Sequence, residues 1–184
     1  MALFKQFLFS AALIVFCSSC GELSEFENQQ VEKAFSDSLF TVTESWGVNM
    51  ELMEKQKLVL KLRGSYSASI KKENVSLTKV GGPVYIEIYN EDGNPDTFVN
   101  ADSAVYDPAD SIFELFGNVS VDAPEEKLLR TSYLKWERFE NKVSTPESLT
   151  IVTPTDSISA IGLDGSTDLS TYTLREVTGE TVIE

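Results

Sequence analysis

The sequence predicts an all-β domain, and three observations lead to that class. Apolar and polar residues alternate over short runs, the period of a strand with one buried face. Turn-forming clusters such as Glu91-Asp92-Gly93-Asn94-Pro95 and Thr153-Pro154-Thr155-Asp156 part these runs at intervals of about 8–14 residues. Beyond Trp46 no stretch carries the 3.6-residue apolar period of a helix.

Taken in order, the chain opens with Lys5 and an uncharged run from Gln6 to Gly21 whose centre, Phe7 to Phe16, is almost wholly apolar. A bilayer span needs about 20 apolar residues, so residues 1–19 read as a signal peptide of the lipoprotein type. Cys20, preceded by Ser18-Ser19, resembles a bacterial lipobox, in which the cysteine becomes the lipid-modified first residue. Cys17 stands where that pattern usually has a larger aliphatic residue. Residues 20–45 read as an acidic tether, with Glu22, Glu25, Glu27, Glu32, Asp37 and Glu44 against Lys33, and with a short helix expected near Val31 to Leu39. A β domain is expected from 46 to 184.

Within that domain Leu58, Leu60 and Leu62 alternate with Val59, Lys61 and Arg63. Val84, Ile86 and Ile88 alternate with Tyr85, Glu87 and Tyr89. Further strands are expected over Tyr66–Ile70, Lys127–Arg138, Val143–Thr153, Asp156–Gly165 and Tyr172–Ile183. The clearest local unit is the hairpin from Phe98 to Ala123. Its link is Asp107-Pro108-Ala109-Asp110, where proline fixes φ and aspartates bond back to nearby amides. In its second run Phe113, Leu115, Val119 and Val121 share an apolar face. Gly117 falls on that face too, where a missing side chain permits a bulge or the close approach of another group.

The hairpin returns in altered form. Ala101-Asp102-Ser103-Ala104-Val105-Tyr106-Asp107 is echoed thirty residues later by Thr131-Ser132-Tyr133-Leu134-Lys135-Trp136-Glu137, and more weakly by Ala160-Ile161-Gly162-Leu163-Asp164. In each, a small residue is followed three places on by Ala or Leu, a spacing that crosses the sheet unless a bulge intervenes.

Composition removes several functions. A formal net charge of −14 speaks against nucleic acid, and the absence of histidine removes the usual general base, metal ligand and pH switch. Both cysteines, Cys17 and Cys20, lie in the first twenty residues, so the folded part holds no disulfide, thiolate nucleophile or cysteine zinc site. Asp102, Asp107 and Asp110 lack the spacing of a calcium loop and read as caps and turns. Nothing singles out a catalytic carboxylate pair, Glu87 with Asp92 or Glu114 with Asp122, from 29 acids. No enzyme, cofactor or metal is expected. Lys127, Arg130, Lys135, Arg138 and Lys142 form a local basic cluster, read as solvated strand surface with anionic head groups as the alternative.

The 101–107 heptad, Phe116-Gly117-Asn118-Val119-Ser120-Val121, Leu129-Arg130-Thr131 with Leu134-Lys135-Trp136-Glu137, and Ala160-Ile161-Gly162-Leu163 together resemble LptC, a periplasmic component of lipopolysaccharide export. The resemblance runs from about Trp46 to the carboxyl end. It implies a twisted antiparallel β-jelly roll with an open hydrophobic groove that receives lipopolysaccharide from an inner-membrane ABC transporter and passes it to a periplasmic β-bridge protein. Many family members keep a transmembrane helix where this chain has a lipobox-like run, which implies an inner-membrane lipid anchor at Cys20 instead, with a short uncleaved N-terminal anchor or an ordinary cleaved signal peptide as the alternatives. The groove would be lined by Leu60, Leu62, Val84, Ile86, Ile88, Phe113, Leu115, Gly117, Val119, Val121, Leu134, Trp136, Leu149 and Ile151. Read from periodicity alone, the same faces make a sealed core, and the chain is then an exported lipoprotein with a β-sandwich that binds carbohydrate or protein. The β-branched stretch Tyr172 to Ile183 reads as an edge strand, which the resemblance assigns to the bridge protein.

Overall fold

A computed structural model describes residues 40–72 and 75–178. The leader, Cys20, the expected helix at 31–39 and residues 179–184 lie outside the described residues. Nine strands follow one another: β1 (Phe40–Glu54), β2 (Lys57–Lys72), β3 (Val75–Tyr89), β4 (Pro95–Asp107), β5 (Ile112–Ala123), β6 (Lys127–Glu137), β7 (Lys142–Val152), β8 (Ser157–Ser166) and β9 (Tyr172–Leu174). Each pairs antiparallel with the next, so a single sheet runs in sequence order from β1 to β9. The architecture is the all-β one that the alternation predicts.

The turns form for local reasons. In the β4–β5 link the Ala109 amide donates to Asp107 Oδ1 at 2.9 Å, the bond back to the chain that aspartate favours in a turn. Between β3 and β4 the amides of Asp92 and Asn94 both donate to Asn90 Oδ1 at 3.1 Å, while Gly93 supplies a φ of 82°.

The strands expected at Leu58–Arg63 and Tyr66–Ile70 are one strand, β2, bent at a bulge, and the two ends of the sheet also differ from the sequence reading. β1 starts at Phe40, so residues 40–45, read as the end of the tether, belong to the sheet. Its one acid, Glu44, is tolerated because this half of β1 is exposed, and the segment is held by backbone pairing, Phe40 with Lys72 through Trp46 with Tyr66. The expected strand from Tyr172 to Ile183 shrinks to Tyr172–Leu174. The chain then leaves regular ladder geometry yet stays beside β8, with Thr178 N donating to Ser159 O at 2.8 Å and Arg175 N to Gly162 O at 2.9 Å.

The pairing register breaks in a line across the sheet. Shifts fall between Arg63 and Tyr66, Gly81 and Val84, Asn100 and Ser103, Phe116 and Val119, Thr131 and Lys135, and Thr145 and Ser148. On the even strands β4, β6 and β8 the buried residues step by three across this line: Ala101 to Ala104, Thr131 to Leu134, Ala160 to Leu163. On the odd strands β3, β5 and β7 they step by four: Val80 to Val84, Leu115 to Val119, Thr145 to Leu149. The repeated three-residue spacing in the sequence is therefore the mark of a bulge that returns both residues to one face. Successive bulges from β2 to β8 fall in line across the sheet and crease it.

The crease explains how a lone sheet makes a core. Among the described residues the only other regular element is a three-residue 3-10 turn, Arg138–Glu140, so no second layer covers the inner face. Yet Phe113, Leu60, Leu62, Ile86, Leu129 and Ile151 are fully buried. The sheet must fold over its own inner face, as two sheets of a sandwich do. Side chains from either side of the crease, Val99 and Val121 with Leu134 and Val143, line one small interior cavity.

Candidate functional site: the apolar interior

The interior is assembled from alternate residues of β2 through β8, so its lining follows from the strand period and the crease. Leu60, Leu62, Val84, Ile86, Phe113, Leu115, Val119, Val121, Leu134, Trp136, Leu149 and Ile151 join one buried cluster, with Ile88 packed half-buried against it. Each such side chain adds roughly 1.5–3 kcal/mol when withdrawn from water. An aromatic ladder crosses β4, β5 and β6: Tyr106 stacks on Phe113 with ring centres 4.3 Å apart, and Phe113 on Trp136 at 5.2 Å. Trp136 Nε1 donates to Thr167 Oγ1 at 3.0 Å, so its one polar atom is satisfied.

Gly117 is the exception among the expected lining residues. With φ at 69°, it forms the β5 bulge with Asn118 and turns toward β4, where an added Cβ would stand 2.4 Å from Asp102 Oδ2. Asn118 Nδ2 donates to the same carboxylate oxygen at 2.8 Å. Parity placed Gly117 inward, but the extra residue of the bulge points it at the crease instead.

Several interior residues escaped the sequence reading. Val99, Ala101, Ala104, Tyr106, Leu129, Val143, Ala160 and Leu163 are all buried in the same cluster. Most stood in the repeated heptad, and the three-residue step would have found them had it been taken as a bulge. The room left inside is small. The cavity between Ile88, Val121, Leu134 and Trp136 has a volume of about 10 Å³, the space of a single water at most. Around this cavity the inner face is packed with its own side chains.

The sheet itself remains open. Among the described residues β1 pairs only with β2, and β9 only with β8. Contact across the mouth is made by side chains: the Arg138 guanidinium, only 5% exposed, pairs with the Glu54 carboxylate at the end of β1. The outer half of β1 is uncovered, with Trp46 73% exposed and its ring 5.7 Å from Tyr66. Tyr66 O–H donates to the Glu44 carboxylate, a bond that holds the phenol above its usual pKa.

Polar groups are occupied with structure. Glu87 meets Arg63 and Tyr89. Lys135 donates to Glu137 at 2.7 Å, which raises its pKa. Burial, then Glu114, raises that of Tyr133. Among the described residues no three Cys, Asp or Glu side chains converge as a metal site. The arrangement suits non-covalent handling of an apolar chain. In comparison with protein families, residues 11–182 match the one described as lipopolysaccharide-assembly, LptC-related. No match to a curated protein was found.

Proposed function

The chain belongs to the LptC-related family of lipopolysaccharide-assembly proteins, and from that premise we propose that it relays lipopolysaccharide along its apolar interior. Membership gives it a part in lipopolysaccharide transport, within a family of transport and binding components of the periplasm and inner membrane rather than of enzymes. The finer reading is that it receives the lipid from an inner-membrane ABC transporter and hands it to a periplasmic bridge protein. Cys20 would hold it to the membrane by a lipid, a point that the intact mass of the mature protein checks.

The observation that carries this reading is the largely apolar inner face from β2 to β8, in a sheet whose two edges, among the described residues, are not paired with each other. Each CH₂ of an acyl chain kept out of water is worth about 0.8 kcal/mol. An acyl chain enters by parting side-chain contacts such as Arg138 with Glu54, and no ladder hydrogen bond need break. The filled interior favours one rival, a sealed sandwich that binds carbohydrate or protein on its surface. Photocrosslinking residues at Phe113, Leu134 and Trp136 separate the two. Capture of lipopolysaccharide in cells with a working export pathway is the expected result; failure at all three positions would sink the relay. The carboxyl edge is the proposed seat of the bridge protein, and removal of residues 171–184 should abolish its pull-down.

A further inference from the structure

The outer face of the same strands carries a second site. There a trough of about 750 Å³ crosses β5 to β8. Its floor is a row in strict register: Ser120 lies opposite Arg130, Arg130 opposite Thr150, and Thr150 opposite Ser159. The row is already hydrogen-bonded at one end, Thr150 Oγ1 to Ser159 Oγ at 3.4 Å. Of the thirteen lining residues seven carry a hydroxyl, one is arginine and none is an acid. That composition is unusual in a chain with 29 acids and a net charge of −14.

Charge pairing singles out Arg130. Of the five cations clustered between 127 and 142, Lys127 is paired with Glu125, Lys135 with Glu137, Arg138 with Glu54 and Lys142 with Asp164. Among the described residues Arg130 alone of the five has no carboxylate partner, and it lines the trough between Ser120 and Thr150. A guanidinium presents a planar fork of donors that fits a phosphate in bidentate fashion. Hydroxyls at strand spacing both donate to and accept from ligand hydroxyls.

We propose that the outer trough of β5–β8 binds a phosphorylated saccharide, with Arg130 on the phosphate and Ser120, Thr150 and Ser159 on the sugar hydroxyls. This site lies on the opposite face from the interior and is independent of the relay reading. The test is calorimetric titration of the full chain with a delipidated, phosphorylated oligosaccharide of lipopolysaccharide, its dephosphorylated counterpart, and inorganic phosphate. The phosphorylated sugar should bind at least about tenfold more tightly than either other probe, because charged hydrogen bonds to phosphate are lost in one and the sugar contacts in the other. R130Q should lower its affinity by about tenfold and R130K by less, while S159A weakens the phosphorylated and dephosphorylated sugars alike. Absence of binding to the unmodified chain, equal affinity for the two sugars, equal affinity for inorganic phosphate, or an unchanged R130Q would each overturn the proposal. Arg130 is exposed, so the substitution leaves the core intact. Lipid capture from Phe113, measured in the same R130Q protein, should be unaltered, so loss of one reading is not mistaken for loss of the other.

Discussion

The middle of the sheet and its first strand are built from the same alternating pattern, yet they end in opposite states. On β5 each inward residue away from the bulge is buried, and Phe113 sits between Tyr106 and Trp136 with no exposed surface. On the outer half of β1, Val42 and Trp46 alternate in the same way but stay 47% and 73% exposed. The difference is not propensity. The crease folds the central strands onto apolar partners, whereas the outer half of β1 has, among the described residues, only β2 as a paired neighbour. Alternation thus fixes which side of a strand is apolar, and the crease decides whether that side is covered.

The strongest way to break this contrast is Phe113→Ala. Removing a fully buried aromatic from a filled core costs about 3–5 kcal/mol, a large share of the roughly 5–15 kcal/mol that holds a domain together. Urea unfolding followed by tryptophan fluorescence should show the loss as a lower midpoint. A cost below about 1 kcal/mol would mean that the interior is already loose around the aromatic ladder.

Two glycines sharpen the contrast at intermediate size. Gly47 in β1 and Gly117 in β5 share the left-handed conformation, with φ of 64° and 69°. A Cβ at Gly47 meets nothing within 4 Å, whereas at Gly117 it meets Asp102. Gly47→Ala should therefore lose only the conformational term, about 1 kcal/mol, and Gly117→Ala about twice that. Adding Asp102→Ala should return part of the Gly117→Ala loss and none of the Gly47→Ala loss. Additivity in both pairs would show that the crease is not sterically set at this point.

How much of this was legible follows from the same physics. Period-two alternation placed most of the strands from β2 onward and twelve of the buried interior residues, because a side chain's face follows from backbone geometry alone, but it named no strand for β1. It failed at Gly117, since a bulge reverses parity and the cue was a three-residue step that looked like a repeat. It also failed at the carboxyl end, where β-branched residues predicted a long strand. There Gly162 of β8, with φ at 85° and Arg175 packed against it, marks where the regular ladder gives way. The trough was out of reach for another reason: the basic cluster was visible in sequence, but which cation keeps no partner depends on folding Glu54 and Asp164 beside residues far away in the chain.

A smaller effect is expected in the loop between β8 and β9, which buries Leu169 fully while Asp168 stays at the surface. Partial burial pushes the Asp168 carboxyl up, but hydrogen bonds from Ser166 and from Ser170 outweigh it and leave the pKa below its usual value. A depressed folded pKa means that the unfolded chain binds the proton first. The contribution is present above the ordinary carboxylate range and fades as pH falls through the lower, folded value. Asp168→Asn should remove that acid-limb slope and leave stability near neutral pH only slightly reduced. An unchanged slope would show that these hydrogen bonds do not persist in solution.

The least effect should come from Trp46→Ala, although tryptophan is the largest side chain and its loss from a core costs as much as that of phenylalanine. At 73% exposure it has little transfer energy to lose, and its tilted contact with Tyr66 is worth at most about 1 kcal/mol. Tyr66 keeps its bond to Glu44, and the β1–β2 ladder does not depend on the ring. Unfolding midpoints of Trp46→Ala and the unmodified chain should agree within about 0.5 kcal/mol. A loss above 1 kcal/mol would show that something covers the outer half of β1 in solution and would erase the contrast with Phe113. A null result in stability leaves this tryptophan free of any structural duty, on a strand whose outer edge is unpaired among the described residues.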